Sequence, residues 1–253
     1  MIVLETVVVA FSMFSALPMP QIEWNERNMR WSLCAFPLVG VLIGLGCWGW
    51  LKLCTALSLP DVLHGAGLCL LPVLVTGGIH LDGYADTCDA LASHAGIEKR
   101  REILKDPHLG AFAGIRLCVY FVAAFALCTA LTDGRLPALL GLFGLSRSLS
   151  GYALTRFPLR EGSGLARSFA DASDKKRAGI ILAAEAAVFA ALLIWGGGTL
   201  AVPAALAVLA VYRHTAVKGF GGVSGDLAGW FLQTAELWML GMLVLTQIGR
   251  EWL

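Results

Sequence analysis

The chain has 253 residues, 57% of them hydrophobic and 15% charged, and its mean hydropathy is +0.73. An ordinary soluble domain carries about 25% charged residues, so the composition excludes that class and points to a polytopic membrane protein. A net charge of +1 gives no basis for nucleic-acid binding.

In chain order, the first 20 residues, MIVLETVVVAFSMFSALPMP, have no basic leading region, carry Glu5 and show no small-residue cleavage site. They read as a retained short helix that enters or lies along the membrane and stops at Pro18 and Pro20. Seven later runs are long and apolar enough for a ~30 Å hydrocarbon core: about 31–57, 62–79, 113–131, 136–154, 178–195, 200–217 and 227–248. The 29 glycines suit close helix packing, and no repeat or linker divides the chain. The expected fold is an all-α, polytopic helical bundle forming one domain over 1–253. Seven cysteines, with no C-x-x-C pair, read as reduced thiols used as small apolar groups.

The connecting segments fall into two groups. Those at 21–30, 80–110, 156–177 and 213–225 hold most of the Lys and Arg, whereas the turns at 58–60, 132–135 and 196–199 hold Arg135 alone. That asymmetry places the basic group in the cytoplasm. Each stretch with chemical character lies in it, which predicts an active site assembled from several loops on one membrane face.

The strongest of these stretches is GGIHLDGYADTCDAL at 77–91. Asp82, Asp86 and Asp89 stand at i, i+4 and i+7, which at about 100° per residue puts their Cβ atoms within roughly 60° on one helix face. Carboxylates crowded in this way repel unless a cation lies among them. Hard oxygen donors suit Mg²⁺ or Mn²⁺, which commonly bridge carboxylates and phosphates. The plainer alternative, an acidic first turn in solvent, fits poorly with three aspartates directly after a long apolar run. Gly83 lets a backbone or a diphosphate approach closely. Splitting a diphosphate requires neutralised leaving-group charge and an in-line nucleophile, and one carboxylate could take the attacking hydroxyl's proton. His80 reads either as a packing residue at the helix entry or as a substrate contact. Cys88 reads as a packing residue on the opposite face.

Other constellations are weaker alone. In EKRREILKDPHLGAF at 98–112, Lys105 is expected to reach a phosphate and Asp106 the metal site; the alternative is a positive anchor with i,i+4 pairing. GGVSGD at 221–226 puts a glycine-rich turn, with Gly225, ahead of Asp226. Such a turn can bind phosphate through N–H groups, and Asp226 is either a fourth metal ligand or a helix cap. Glu236, with Gln233 one turn before it, and Arg147 in the fourth run are polar groups at membrane depth that need a cavity or a partner. For Arg147 the options are a carboxylate partner, a substrate phosphate, or snorkelling.

Taken together, TGGIHLDGYADTCDAL at 76–91, EILKDPHLGAF at 102–112, Ser146–Arg147, EGSG at 161–164, GVSGD followed by Glu236, and FPLVGVLIG at 36–44 resemble the cobalamin synthase family, the adenosylcobinamide-GDP ribazoletransferases. The pieces keep their order over nearly the whole chain, and HLDGYADTCD is the most specific. The chain departs from the family pattern at Ser15 and Ala16, where Thr-Arg is usual. It departs again at Pro107 and His108, where Ser-Arg follows the aspartate, and at Gln233, often Glu. The resemblance implies a Mg²⁺-dependent transferase in the bacterial cytoplasmic membrane. It would transfer the cobinamide phosphoryl group of adenosyl-GDP-cobinamide to the 5′-hydroxyl of α-ribazole, or react equivalently with α-ribazole 5′-phosphate. GMP would leave, forming adenosylcobalamin or its 5′-phosphate. The partners expected are these substrates, the lipid bilayer, and either a homo-oligomer or other cobalamin-assembly enzymes, with no nucleic acid. The combined reading gives Asp82, Asp86, Asp89 and Asp226 to the metal. It gives Asp82, Asp86, Asp89 and Lys105 to catalysis, and His80, Gly83, Asp106, Arg147, Gly225 and Glu236 to substrate binding. A CDP-alcohol phosphotransferase would show further aspartates and an Ala-Arg pair, missing after Asp89. A prenyltransferase would show two acidic motifs, and a transporter would place carboxylates at mid-membrane in paired halves.

Overall fold

Inside hydrocarbon no water satisfies backbone N–H and C=O groups, so a chain this apolar closes its hydrogen bonds locally, as helices. The computed structural model describes residues 2–132, 134–162 and 164–251. Among them every regular element is a helix, apart from one isolated parallel bridge between Leu159 and Val223. In order these are α1 (Ile2–Phe14), α2 (Glu26–Met29), α3 (Ser32–Ala56), α4 (Asp61–Thr76), α5 (Ile79–Ala92) and α6 (Ile97–Ile103). They continue with α7 (Ala111–Ala130), α8 (Leu136–Arg156), α9 (Gly164–Ala172), α10 (Lys175–Trp195), α11 (Ala201–Phe220) and α12 (Gly225–Glu251). Ser163 of the EGSG turn and Asp133 of the turn before α8 lie outside the described residues.

The seven apolar runs coincide with α3, α4, α7, α8, α10, α11 and α12. Among the described residues, α3, α7, α10 and α12 are each long and apolar enough to cross a membrane, and α4 with α5 adds a fifth crossing if that bent pair is one span. The difference has a physical source. At 16 residues α4 is only about 24 Å long, short of the hydrocarbon thickness. Ser146, Arg147, Ser148 and Ser150 dilute the apolarity of α8, and Arg213, His214 and Lys218 that of α11.

The α4–α5 corner bends by 95° at Gly77 and Gly78, whose φ angles are +65° and +80°. Two successive left-handed residues are cheap only for glycine. The N–H of Ala16 donates to the carbonyl of Val75 (2.8 Å), tying the segment after α1 to the same corner.

The bundle is built around α8, whose residues 141–151 are all buried. It lies between α3 and α10, with Gly40 and Gly44 of α3 set against the α8 backbone at Phe143 and Leu139. This small-xxx-small contact explains the glycine spacing in FPLVGVLIG. Outward faces of α7, α10 and α12 expose Val119, Val122, Ile180, Val188 and Leu245, a surface suited to lipid. All seven cysteines are free.

Loops meet at two opposite ends. At one, Arg250 Nη2 donates to the carbonyl of Gly197 (3.3 Å), Gln247 bonds Thr132, and Trp50 Nε1 donates to the carbonyl of His64 (3.1 Å). At the other, the Leu159–Val223 bridge joins the α8–α9 connection to the α11–α12 connection. This second end collects the basic loops.

Candidate active site

With three aspartates in 14 residues, α5 is too short and too acidic to be a crossing segment. Its buried face presents Leu81, Ala85 and Cys88, so Cys88 is a packing residue, while Asp82 is exposed and Asp86 and Asp89 are half-buried. The buried face meets the start of α12 at very short range. A Cβ on Gly83 would stand 2.7 Å from the carbonyl oxygen of Asp226 and 2.8 Å from its Cα; one on Gly229 would stand 2.7 Å from the carbonyl oxygen of His80. The two glycines thus set the aspartate face of α5 beside Asp226. Burial, then Asp82, Asp226 and Asp89 in turn, push the Asp86 carboxyl up to about 6. The four carboxylates share one electrostatic neighbourhood.

Ser224, rather than Asp226, caps α12: its Oγ accepts from the N–H of Leu227 (3.4 Å) and donates to Asp226 Oδ2 (3.3 Å). Asp226 Oδ2 also lies 3.8 Å from Arg160 Nη2, a Coulombic rather than hydrogen-bonded distance. Arg160 is placed there by the bridge, donating its N–H to the carbonyl of Val223 (2.9 Å). It is only 6% exposed, and its Nε and Nη1 have no hydrogen-bond partner. Burial holds its pKa below the usual guanidinium value, with Asp226 opposing the shift and Arg101 adding to it. In the sequence, Arg160 opens the REGSG stretch at 160–164, one of the loops expected at the site, with no individual role attached to it. Its position directly before the EGSG turn was the available signal.

Other expected site residues are used differently. Asp89 Oδ1 accepts from the N–H of Ala113 (3.4 Å) in the first turn of α7, and its carboxyl packs on Gly110. Asp106 folds back on its own loop, accepting from the N–H of His108 (3.0 Å) and pairing with His108 Nδ1 (2.7 Å), so it is not brought to the carboxylates. Lys105 beside it is exposed. Arg147 and Glu236 form a buried ion pair at 2.5 Å, with side chains 1% and 7% exposed. Ser146 Oγ donates to Glu236 Oε1 (2.7 Å), and Arg147 Nη1 also donates to the carbonyl of Phe143 (3.0 Å). These two residues pair with each other in the core, the carboxylate partner being one of the options for Arg147; Arg147 Nε is left without a hydrogen-bond partner, and the side chain does not snorkel. Gln233 accepts from Tyr120 Oη (2.5 Å) in the same core.

Among the described residues no three His, Cys, Asp or Glu side chains are gathered closely enough to surround one ion. Mg²⁺ does not need such a cage, since it is commonly held by one or two carboxylates, several waters and substrate phosphates. Hard donors in mutual repulsion, with Cys88 turned away, fit that ion in chemistry and charge. Asp82 and Asp226 stand with Gly225 and His80 on the wall of a cavity of about 290 Å³. Burial, with Arg147 adding, holds the His80 imidazole down at about 3, so it is neutral.

Fold and site together define a helical, multi-pass membrane protein with a carboxylate-lined cleft at one end of its bundle. The cobalamin-5-phosphate synthase family matches residues 6–244. An adenosylcobinamide-GDP ribazoletransferase of Lachnoclostridium phytofermentans is 39% identical over 249 residues, covering 97% of this chain and 95% of the relative. Proteins of the same name from Clostridium botulinum, strain Alaska E43, and Geobacillus kaustophilus are 30% and 31% identical, over 90% and 92% of this chain and 92% and 93% of their own. The chain belongs to the cobalamin-5-phosphate synthase family. No solved structure matches it.

Proposed function

We propose that the protein is a Mg²⁺-dependent adenosylcobinamide-GDP ribazoletransferase of the bacterial cytoplasmic membrane, with about seven spans and its site on the cytoplasmic face. The observation that carries this reading is the convergence of the α5 carboxylates and Asp226 on one cleft, in a chain that relatives of that name match along nearly its whole length. The basic loops gathered at that end support the orientation.

In the proposed step a ribose hydroxyl of α-ribazole forms a P–O bond to the phosphorus that carries cobinamide. The bridging P–O bond of the diphosphate breaks, GMP leaves with the bridging oxygen, and the hydroxyl proton passes to a carboxylate of the set. With α-ribazole 5′-phosphate the 5′-oxygen is already esterified, so that acceptor must use a secondary ribose hydroxyl. Bound Mg²⁺ would supply neutralisation of the diphosphate charge, held by one or two carboxylates of the set Asp82, Asp86, Asp89 and Asp226 together with water and substrate phosphate oxygens. Arg160 adds the protein's own cation beside Asp226, and its two unpaired nitrogens suit phosphate oxygens. Lys105, exposed on its loop, is the second cation this reading assigns to the same charge.

Membranes containing the protein will release GMP when given adenosyl-GDP-cobinamide, α-ribazole 5′-phosphate and Mg²⁺ together. Chelation with EDTA will lower the rate at least about a hundredfold, and added Mg²⁺ will restore it. No GMP release from well-expressed protein would overturn the reading.

The glycine contact provides a second check. Gly83→Ala drives a methyl into the Asp226 backbone, which cannot yield as a flexible side chain would. A loss of about 1–3 kcal/mol of stability is expected, seen as a lower melting midpoint in detergent. Turnover should fall with it, because α5 and Asp226 are forced apart. Unchanged melting and turnover would show that the approach is dispensable.

A further inference from the structure

The cavity beside Asp82 and Asp226 has a wall that the carboxylate chemistry does not use. Phe14 and Phe36 line it with ring centroids 4.1 Å apart, and Phe169 joins them at 5.8 Å from Phe14. Such a wall offers aromatic faces for stacking a flat ring. Two polar atoms on it have no hydrogen-bond partner: His80 Nδ1 and Ser150 Oγ, in residues 6% and 1% exposed. The contrast with nearby serines on α8 is informative. Ser146 donates to the carbonyl of Phe143 and to Glu236, and Ser148 to the carbonyl of Gly144. A buried hydroxyl left unpaired beside satisfied neighbours marks a place where a ligand atom is expected.

Size and polarity narrow the occupant. About 290 Å³ is at the lower end of small-molecule pockets, enough for a bicyclic ring and far too small for a corrinoid macrocycle. Guanine presents donors and acceptors along most of its edge, whereas this wall holds two unpaired atoms among apolar side chains. A benzimidazole joined to ribose through one ring nitrogen has a single free acceptor, the other nitrogen, on an otherwise apolar bicycle.

We propose that this cavity binds the aromatic base of the acceptor nucleoside, stacked among Phe14, Phe36 and Phe169, with Ser150 Oγ donating to the free ring nitrogen. The ribose then extends past His80 towards Asp82 and Asp226, where its hydroxyl meets the diphosphate. The assignment rests on the transferase reading above. It divides the substrates between two routes: the nucleoside base enters the bundle, and the corrinoid stays outside it.

The test uses the full-length protein in lipid nanodiscs, with KM measured separately for each substrate by GMP release. Ser150→Ala should raise KM for α-ribazole about tenfold while leaving kcat and KM for adenosyl-GDP-cobinamide unchanged. An acceptor with an indole base, which lacks the second ring nitrogen, should be about tenfold poorer than α-ribazole for the wild type and no poorer for Ser150→Ala. Ala166→Leu, on the more open rim of the cavity, should raise KM for α-ribazole by reducing its volume, and it covers the case in which Ser150→Ala fails to fold. Trp24 stands edge-on to Phe169 with centroids 5.6 Å apart, so α-ribazole alone should change its fluorescence. If the variants alter KM only for the corrinoid substrate, or neither KM, the base is not bound here and the proposal fails while the transferase stands. If the wild type releases no GMP with either acceptor, the transferase reading fails first.

Discussion

Asp82→Asn will lower GMP release by about 10²–10³-fold or more while leaving the protein folded in the membrane. Losing one group that stabilises transition-state charge typically costs that much, and here the charge is a diphosphate's. The substitution separates catalysis from stability because Asp82 is exposed and, among the described residues, no hydrogen bond or ion pair holds its side chain. Its change to an isosteric amide should therefore shift stability by no more than about 0.5 kcal/mol. Asp89 offers the contrast. Its carboxyl accepts from the α7 N–H of Ala113, so Asp89→Ala should cost about 0.5–2 kcal/mol as a lost cap besides any effect on metal. Full turnover by Asp82→Asn at normal expression would remove the α5 carboxylates from the mechanism.

What the sequence could reveal follows from which forces act locally. Helix positions were legible because hydropathy and period act over neighbouring residues: each of the seven apolar runs became a helix, with ends within a few residues. The aspartate face was legible for the same reason, since i, i+4 and i+7 is a property of one helix. Which of these helices cross the membrane was less legible, because α8 and α11 carry polar residues that only the surrounding bundle accommodates. Contacts between distant segments were also hidden. Nothing in GGVSGD or REGSG says that Val223 and Arg160 share a bridge, and that bridge is what places a guanidinium beside Asp226. The turn of Asp106 onto His108 was hidden as well, because two residues of loop geometry decide it and not the charge pattern around it. Arg147 and Glu236 were each recognised as needing a partner, and a sequence separation of 89 concealed that they are each other's.

Glu236→Gln and Arg147→Met, made singly, are expected to destabilise the protein by about 3–5 kcal/mol each, because each strands the opposite charge in a dry core. Removing Glu236 leaves the guanidinium with the Phe143 carbonyl, Ser146 Oγ and the faces of Phe36 and Phe143 as its remaining stabilisation. Removing Arg147 leaves the carboxylate with Ser146 Oγ alone as a donor. The double variant Arg147→Met, Glu236→Leu should recover most of the loss, since well-packed apolar groups often replace a buried pair without penalty. Melting midpoints of the wild type, Arg147→Met, Glu236→Leu and the double variant in one detergent give the coupling directly. Activity then decides the role. If the double variant keeps GMP release within several-fold of the wild type, the pair holds α8 against α12 beneath the site and touches no substrate. If it melts normally yet its KM for adenosyl-GDP-cobinamide rises by about a hundredfold, the guanidinium must leave Glu236 to meet the diphosphate. The first outcome is expected, because Arg147 Nη1 is already engaged by Glu236, Ser146 and the Phe143 carbonyl and α8 is buried on all sides at that depth.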